Sequence, residues 1–178
     1  MRTFIAIPLP DNIHSILRSL QGSLKLSGAK ISLAKDFHLT LKFLGEVDER
    51  QVEKITEALH RVKFKPFTLN LSKIGVFPNE NYLRVVWVGV SPPEQVIQLG
   101  SQVEKALQQF HFKKDHDLHP HLTLARIAYI PQDEKQHFVQ SLKSIPIPQE
   151  SFHVDHFTLF KSTLTPSGPV YEVLRAFG

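Results

Sequence analysis

The chain has 178 residues, of which 42% are hydrophobic and 21% are charged, and its formal net charge is +4. This composition excludes a disordered chain and provides enough apolar residues for one domain with a buried core. The absence of cysteine excludes disulfide bonds and thiolate metal sites, whereas the modest positive charge is compatible with a polyanionic partner such as nucleic acid.

The amino-terminal segment predicts a cytoplasmic protein without a membrane partner. Pro8 and Pro10 interrupt MRTFIAIPLP too early for a signal peptide or a membrane helix, and a cysteine-free chain is compatible with a reducing compartment. TFIAIPL is typical of a buried strand. A helix is predicted next, with an apolar face formed by Ile13, Ile16, Leu17, Leu20 and Leu24.

The next predicted strand, FHLTLKFLG, alternates between polar and apolar residues. Its polar face is expected to carry His38, Thr40 and Lys42. Its buried face is expected to carry Leu39, Leu41 and Phe43. Asp48 and Gln51 then predict a capping box at the start of a second helix, and the strand FTLNLSKIGVF closes the first half of the chain.

The second half repeats this order of elements. YLRVVWVGV predicts a strand, and Ser91 is expected to cap a helix whose apolar residues run from Val96 to Phe110. The strand HPHLTLARI and a short helix around Leu142 follow. SFHVDHFTLFKS and PVYEVLRAF are predicted as closing strands, separated by the turn TPSGP.

The tetrapeptide His-Leu-Thr-Leu occurs twice, at residues 38–41 and 121–124. Each copy lies in the strand that follows the first helix of its half, so the two copies occupy equivalent elements in the same register. A single copy would be typical of an ordinary polar strand edge. Two matched copies predict one domain, residues 1–178, that contains an internal duplication.

The paired motifs favour acid–base chemistry at phosphorus. His38 and Thr40 share a strand face, as do His121 and Thr123, so the two faces can meet across a cleft. One neutral imidazole can accept a proton while the other, protonated, donates one, since histidine has an ordinary pKa of about 6.5. The threonine hydroxyls can bind the phosphate oxygens.

Two cations near the motifs are weaker candidates for phosphate binding. Lys42 shares the predicted face of His38. Arg126 has the wrong parity relative to His121, so it can reach the cleft only through a bulge or at a strand end.

A metal site is the main alternative use of these histidines. His116, His119 and His121 are close in sequence, but with the neighbouring acids they form no recognised ligand spacing. We therefore predict no metal and no cofactor.

The motifs FHLTLKFLGEV, RVVWVGV and HPHLTLAR resemble the 2H phosphoesterase superfamily. Within it, the chain is similar to the RNA 2′,3′-cyclic phosphodiesterases, also called 2′–5′ RNA ligases. The resemblance extends over nearly the whole chain, from FIAIPLP to YEVLRAF. It implies an α+β fold with two lobes, in which two mainly antiparallel sheets flank a central cleft and helices lie outside.

The resemblance also implies the roles of the motif residues. His38 matches the proton donor, His121 the proton acceptor, and Thr40 and Thr123 the phosphate-binding residues. The implied reaction hydrolyses an RNA-terminal 2′,3′-cyclic phosphate to a 2′-phosphate without a metal. The roles of His119 and the Tyr171 region stay open.

Two alternatives to hydrolysis remain at this point. The same histidines could run the reverse reaction, which joins a 5′-hydroxyl RNA end to the cyclic phosphate, and no ATP-binding P-loop motif is present. A non-catalytic module that binds RNA ends would use the same cleft. In each case we expect RNA ends as the partner and a monomer without an obligatory protein partner.

Overall fold

The described residues, 1–114 and 117–178, of the computed structural model contain nine strands, four α-helices and one short 3-10 helix, Gln108–Phe110. The strands are β1 (Arg2–Pro8), β2 (Lys30–Leu33), β3 (His38–Glu46), β4 (Phe67–Asn79), β5 (Tyr82–Ser91), β6 (His121–Tyr129), β7 (Ser151–Val154), β8 (Phe157–Thr165) and β9 (Gly168–Phe177). The helices are α1 (Asp11–Gln21), α2 (Glu49–Leu59), α3 (Glu94–Ala106) and α4 (Lys135–Lys143).

The strands form two antiparallel sheets. Sheet A has the order β3-β1-β8-β9, and sheet B has the order β2-β6-β5-β4-β7. The predicted α+β class with two antiparallel sheets is therefore confirmed. Each sheet contains strands from both halves of the chain: β4 pairs with β5 in sheet B, and β8 pairs with β1 in sheet A.

One predicted helix start is confirmed, and three other features differ from the sequence prediction. Asp48 and Gln51 form the predicted capping box at the start of α2. The prediction that Ser91 caps a helix is wrong, because Ser91 ends β5 and α3 begins at Glu94. SFHVDHFTLFKS is not one strand, since β7 pairs with β4 in sheet B and β8 with β1 in sheet A. Strand β2 was not predicted.

A β-bulge interrupts β3 and β6 at the same position of the repeated motif. In β3 the register against β1 shifts between Thr40 and Lys42, so Leu41 is the extra residue. In β6 the register against β5 shifts between Thr123 and Ala125, so Leu124 is the extra residue. Such a bulge reverses the facing of the residues directly after it, and further register shifts follow at Leu44 in β3 and at Ala128 in β6. The two strands accordingly have the same order of buried and exposed residues.

The hydrophobic core lies behind the motif strands. The four motif leucines are buried there as predicted: Leu39, Leu41, Leu122 and Leu124. Helix α3 packs against β3, and α1 packs against β6. No helix in the described ranges is long and apolar enough to cross a membrane.

Candidate active site

The two motif strands come together at the meeting point of the sheets. Strands β3 and β6 are in contact, and a cleft of about 920 Å³ opens beside them. Both predicted histidines and both predicted threonines line this cleft: His38, Thr40, His121 and Thr123. Two imidazoles and two hydroxyls therefore face one cavity, as the strand alternation predicts.

His38, the first residue of β3, lies in an aromatic cage. Its ring centroid is 4.7 Å from that of Phe4 and 5.0 Å from that of Tyr171, which is almost perpendicular to it. Burial in this cage lowers the pKa of His38 to about 4, against the opposing influence of Asp36. Within the described residues, the His38 imidazole forms these ring contacts and no hydrogen bond.

His121, the first residue of β6, is held by a backbone contact. Its Nδ1 lies 2.6 Å from the carbonyl oxygen of His119. A carbonyl can only accept, so Nδ1–H is the donor, and Nε2 of the neutral ring keeps its lone pair. The ring of Phe77 packs edge-on, with centroids 4.9 Å apart. Burial lowers the pKa of His121 below its ordinary value of 6.5.

The lowered pKa values change the protonation states expected for the two histidines. An ordinary histidine would be part-protonated near neutral pH, whereas the lowered pKa values leave both imidazoles neutral there. His121 is thus prepared to accept a proton at Nε2. His38 can donate only after it has gained a proton, and a bound anionic phosphate would favour that charged form.

Lys42 is not in the cleft, so its predicted placement is wrong. The bulge at Leu41 turns its side chain to the buried side of β3, where it is 2% exposed. There its Nζ lies 2.6 Å from a carboxylate oxygen of Glu104 in α3. The same bulge turns Phe43 outward, so the prediction that Phe43 is buried is also wrong: it is 57% exposed and lines the cleft.

Arg126 does line the cleft. The bulge at Leu124 reverses the facing of the residues beyond it, which is one of the two routes by which Arg126 was expected to reach the cavity. A guanidinium at this place can donate hydrogen bonds to phosphate oxygens.

Sequence reasoning missed two walls of the cleft. The turn between β8 and β9 forms one, with residues 166–169. Leu33, at the end of β2, and the following residues Lys35 and Asp36 line the other, together with Arg2 from β1. The available signal was the segment AKD directly before FHLTL, because residues that flank a motif strand lie at the mouth of its cleft. Asp36 also accepts a hydrogen bond from the backbone N–H of Phe37, at 2.8 Å.

The metal alternative gains no support from the described part of the chain. His116 lies outside the described residues. Within them, no group of three or more His, Asp or Glu side chains is arranged to hold a metal ion. The backbone carbonyl of His119 accepts a hydrogen bond from His121. The His119 ring packs edge-on against Phe77, with ring centroids 5.2 Å apart.

The chain matches one family model and several known proteins over nearly its whole length. The family model described as LigT like phosphoesterase matches residues 7–87 and, a second time, residues 88–171. The RNA 2′,3′-cyclic phosphodiesterase of Methanocaldococcus jannaschii is 37% identical over 98% of this chain and 99% of its own length. The enzyme of the same name from Thermotoga maritima is 34% identical over 98% of this chain and 93% of its own.

Solved structures show the same architecture. A crystal structure of a Thermus thermophilus protein superposes with a TM-score of 0.80, at 28% identity, over 99% of this chain and 97% of its own. E. coli LigT complexed with 3′-AMP superposes with a TM-score of 0.75, at 30% identity, over 98% of this chain and 95% of its own.

Proposed function

The chain belongs to the LigT like phosphoesterase family, and on that premise we propose that it hydrolyses the 2′,3′-cyclic phosphate at an RNA end to a 2′-phosphomonoester. One observation carries the proposal: His38 and His121 open onto the same cleft, each with a threonine two residues further along its strand. Relatives that match over nearly their whole length are named for this activity.

In the proposed reaction, Nε2 of His121 accepts a proton from water, and the water oxygen attacks phosphorus. The bond between phosphorus and the 3′ oxygen breaks, and His38 donates its proton to that oxygen. One water is consumed, His121 gains a proton and His38 loses one. The products are a 2′-phosphate and a 3′-hydroxyl. The hydrogen bond from His121 to the His119 carbonyl supports its role as the acceptor.

Thr40, Thr123 and Arg126 are assigned to phosphate binding. All three line the cleft, and in the proposed reaction their donors stabilise the negative charge that increases as the pentacoordinate phosphorus forms. Lys42 is omitted from this set, because its ammonium is paired with Glu104 behind the strand.

The proposal includes a monomeric, cytoplasmic enzyme built by an internal duplication over residues 1–178. One chain contributes both histidines, so a single copy holds a complete site. The double match of the family model and the shared bulge position in β3 and β6 support the duplication.

The test is to incubate the protein with a 2′,3′-cyclic mononucleotide in the presence of a chelator. Turnover to the 2′-phosphate is expected, because the cleft side chains supply the proton transfers and charge stabilisation. Loss of turnover that one added metal restores would support the metal alternative. Binding without turnover would support an RNA-end module. Adding an RNA with a 5′-hydroxyl end measures the reverse ligation in the same assay.

A further inference from the structure

A second groove, distinct from the cleft, runs along α3. It consists of a cavity of about 780 Å³ and an adjoining cavity of about 510 Å³, which share Lys63 and Gln102. One wall is the segment of residues 61–65 between α2 and β4, and the other is α3 with the turn that follows it. We call this surface the basic groove. Its cations are Arg61, Lys63, Lys65 and Lys105, and His111 lies at its end.

The segment RVKFK contributes three cations to the basic groove. Arg61, Lys63 and Lys65 are exposed, whereas Val62 and Phe64 between them pack against the hydrophobic core. All three cations line the groove, and the partly buried Val62 and Phe64 form the apolar part of the same wall. The facing wall contributes glutamine side chains, which can donate and accept hydrogen bonds.

The cations of the groove have no anionic partner in the described part of the chain. None of the four forms an ion pair there, and no described Asp or Glu lines either cavity. Stabilisation of a helix C-terminus accounts for Lys105, in the last turn of α3. That effect fades within one turn, so it does not account for Lys63 and Lys65.

The basic groove lies behind the catalytic strand. Helix α3 packs against β3, and Glu104 of α3 holds Lys42, whose side chain points away from the cleft. A mononucleotide in the cleft cannot touch this surface. An RNA must continue past its cyclic end and around the sheet to reach it.

We propose that the basic groove binds the phosphodiester backbone of the RNA whose cyclic end occupies the cleft. The occupant is single-stranded RNA, because exposed cations spaced along one wall, with amide side chains opposite, suit a flexible polyanion. This inference rests on the proposed function, and it adds a second site that determines which substrate length is preferred.

The test compares R61Q/K63Q/K65Q with the wild type on two substrates: a cyclic mononucleotide and an RNA of about twenty nucleotides with a cyclic end. For the long RNA, we expect KM at about 0.1 M salt to rise on the order of tenfold to a hundredfold. The slope of log affinity against log salt should fall by about 2, since each contact with single-stranded RNA contributes about 0.7. The mononucleotide kinetics should be unchanged.

A charge-matched control separates the groove from net charge. K25Q/R50Q/K54Q removes the same charge from exposed positions that line neither cavity, and it should leave the long-RNA KM within about twofold of wild type. The inference is overturned if the groove variant keeps the wild-type KM and salt slope on the long RNA. It is also overturned if both triple variants weaken the long RNA equally. Failure of the proposed function looks different, because the wild type would then turn over neither substrate.

Discussion

The two motif strands share one design but hold their histidines differently. His38 is surrounded by aromatic rings and forms no hydrogen bond with a described residue, whereas His121 is fixed by the carbonyl of His119. After the matching bulges, the first strand presents an aromatic ring, Phe43, and the second a guanidinium, Arg126. Equivalent backbone positions have thus acquired different chemistry.

This difference explains how similar strands can supply opposite functions. The contact at Nδ1 prepares His121 to accept a proton, because it leaves the lone pair on Nε2. The cage lowers the pKa of His38 to about 4, so this residue holds its proton only weakly and can release it to a leaving oxygen once an anion has favoured the charged form. The hydrogen bond of His121 supports its assignment as the base, whereas the low pKa of His38 means that this residue serves as the acid only when a bound anion favours its charged form.

Removing either histidine should have the largest effect. We expect H38A and H121A each to lower kcat on a cyclic mononucleotide by at least about 10²–10⁴-fold, because each removes one proton transfer. The double variant should be little worse than either single variant, since the two residues act as a unit. The measurement is kcat and KM with folding verified by circular dichroism. A folded single variant with near-wild-type kcat would refute the shared role.

Replacing a motif threonine should have a smaller effect. T40V and T123V keep the shape of the side chain and remove the hydroxyl, so each should lower kcat by about 10-fold to 10²-fold through lost charge stabilisation. Their comparison shows whether the two halves hold the phosphate equally. Unchanged kcat in both variants would exclude the hydroxyls from the transition state.

The pH dependence of kcat/KM should reveal the lowered pKa values. The reaction requires one proton on the histidine pair, and both pKa values of the free protein lie below 6.5. The singly protonated pair therefore becomes about tenfold scarcer with each pH unit above the higher pKa, so kcat/KM should peak below pH 6.5 and fall as pH rises. The alkaline limb of kcat should lie at higher pH, since a bound phosphate raises both pKa values. A kcat/KM that stays flat to pH 8 would contradict this account.

The cations next to the motifs provide the smallest and most selective test. R126Q should raise KM by about tenfold, because a charge-assisted hydrogen bond to phosphate is lost. K42M should leave KM within about twofold of wild type, since Lys42 is paired with Glu104 outside the cleft. It should instead lower the thermal unfolding temperature, because it removes one partner of that ion pair. Equal effects of R126Q and K42M on KM would contradict the placement of Arg126 inside the cleft and of Lys42 outside it.

The sequence predicted the repeated motif and its leucine core, because alternation within a strand is a local property, whereas the two antiparallel sheets were expected from the family resemblance. It misplaced Lys42 and Phe43 because a bulge depends on pairing with β1, a strand distant in the sequence. It could not show the break at Asp155, where the chain passes from sheet B to sheet A, since β7 and β8 differ in partner rather than in composition. The wall formed by Lys35 and Asp36 likewise depends on the pairing of β2 with β6.

The division of labour between the histidines is tested most directly by changing the leaving atom. In a cyclic mononucleotide whose 3′ bridging oxygen is replaced by sulfur, the leaving thiolate needs no proton, so an acid is no longer required. The measurement is kcat of H38A and H121A on the sulfur and oxygen substrates, each relative to wild type. We predict that H38A returns to within about tenfold of wild type on the sulfur substrate while H121A stays impaired by at least about 10²-fold on both. Equal impairment of H38A on the two substrates, or recovery of H121A instead, would contradict the assignment of His38 as acid and His121 as base.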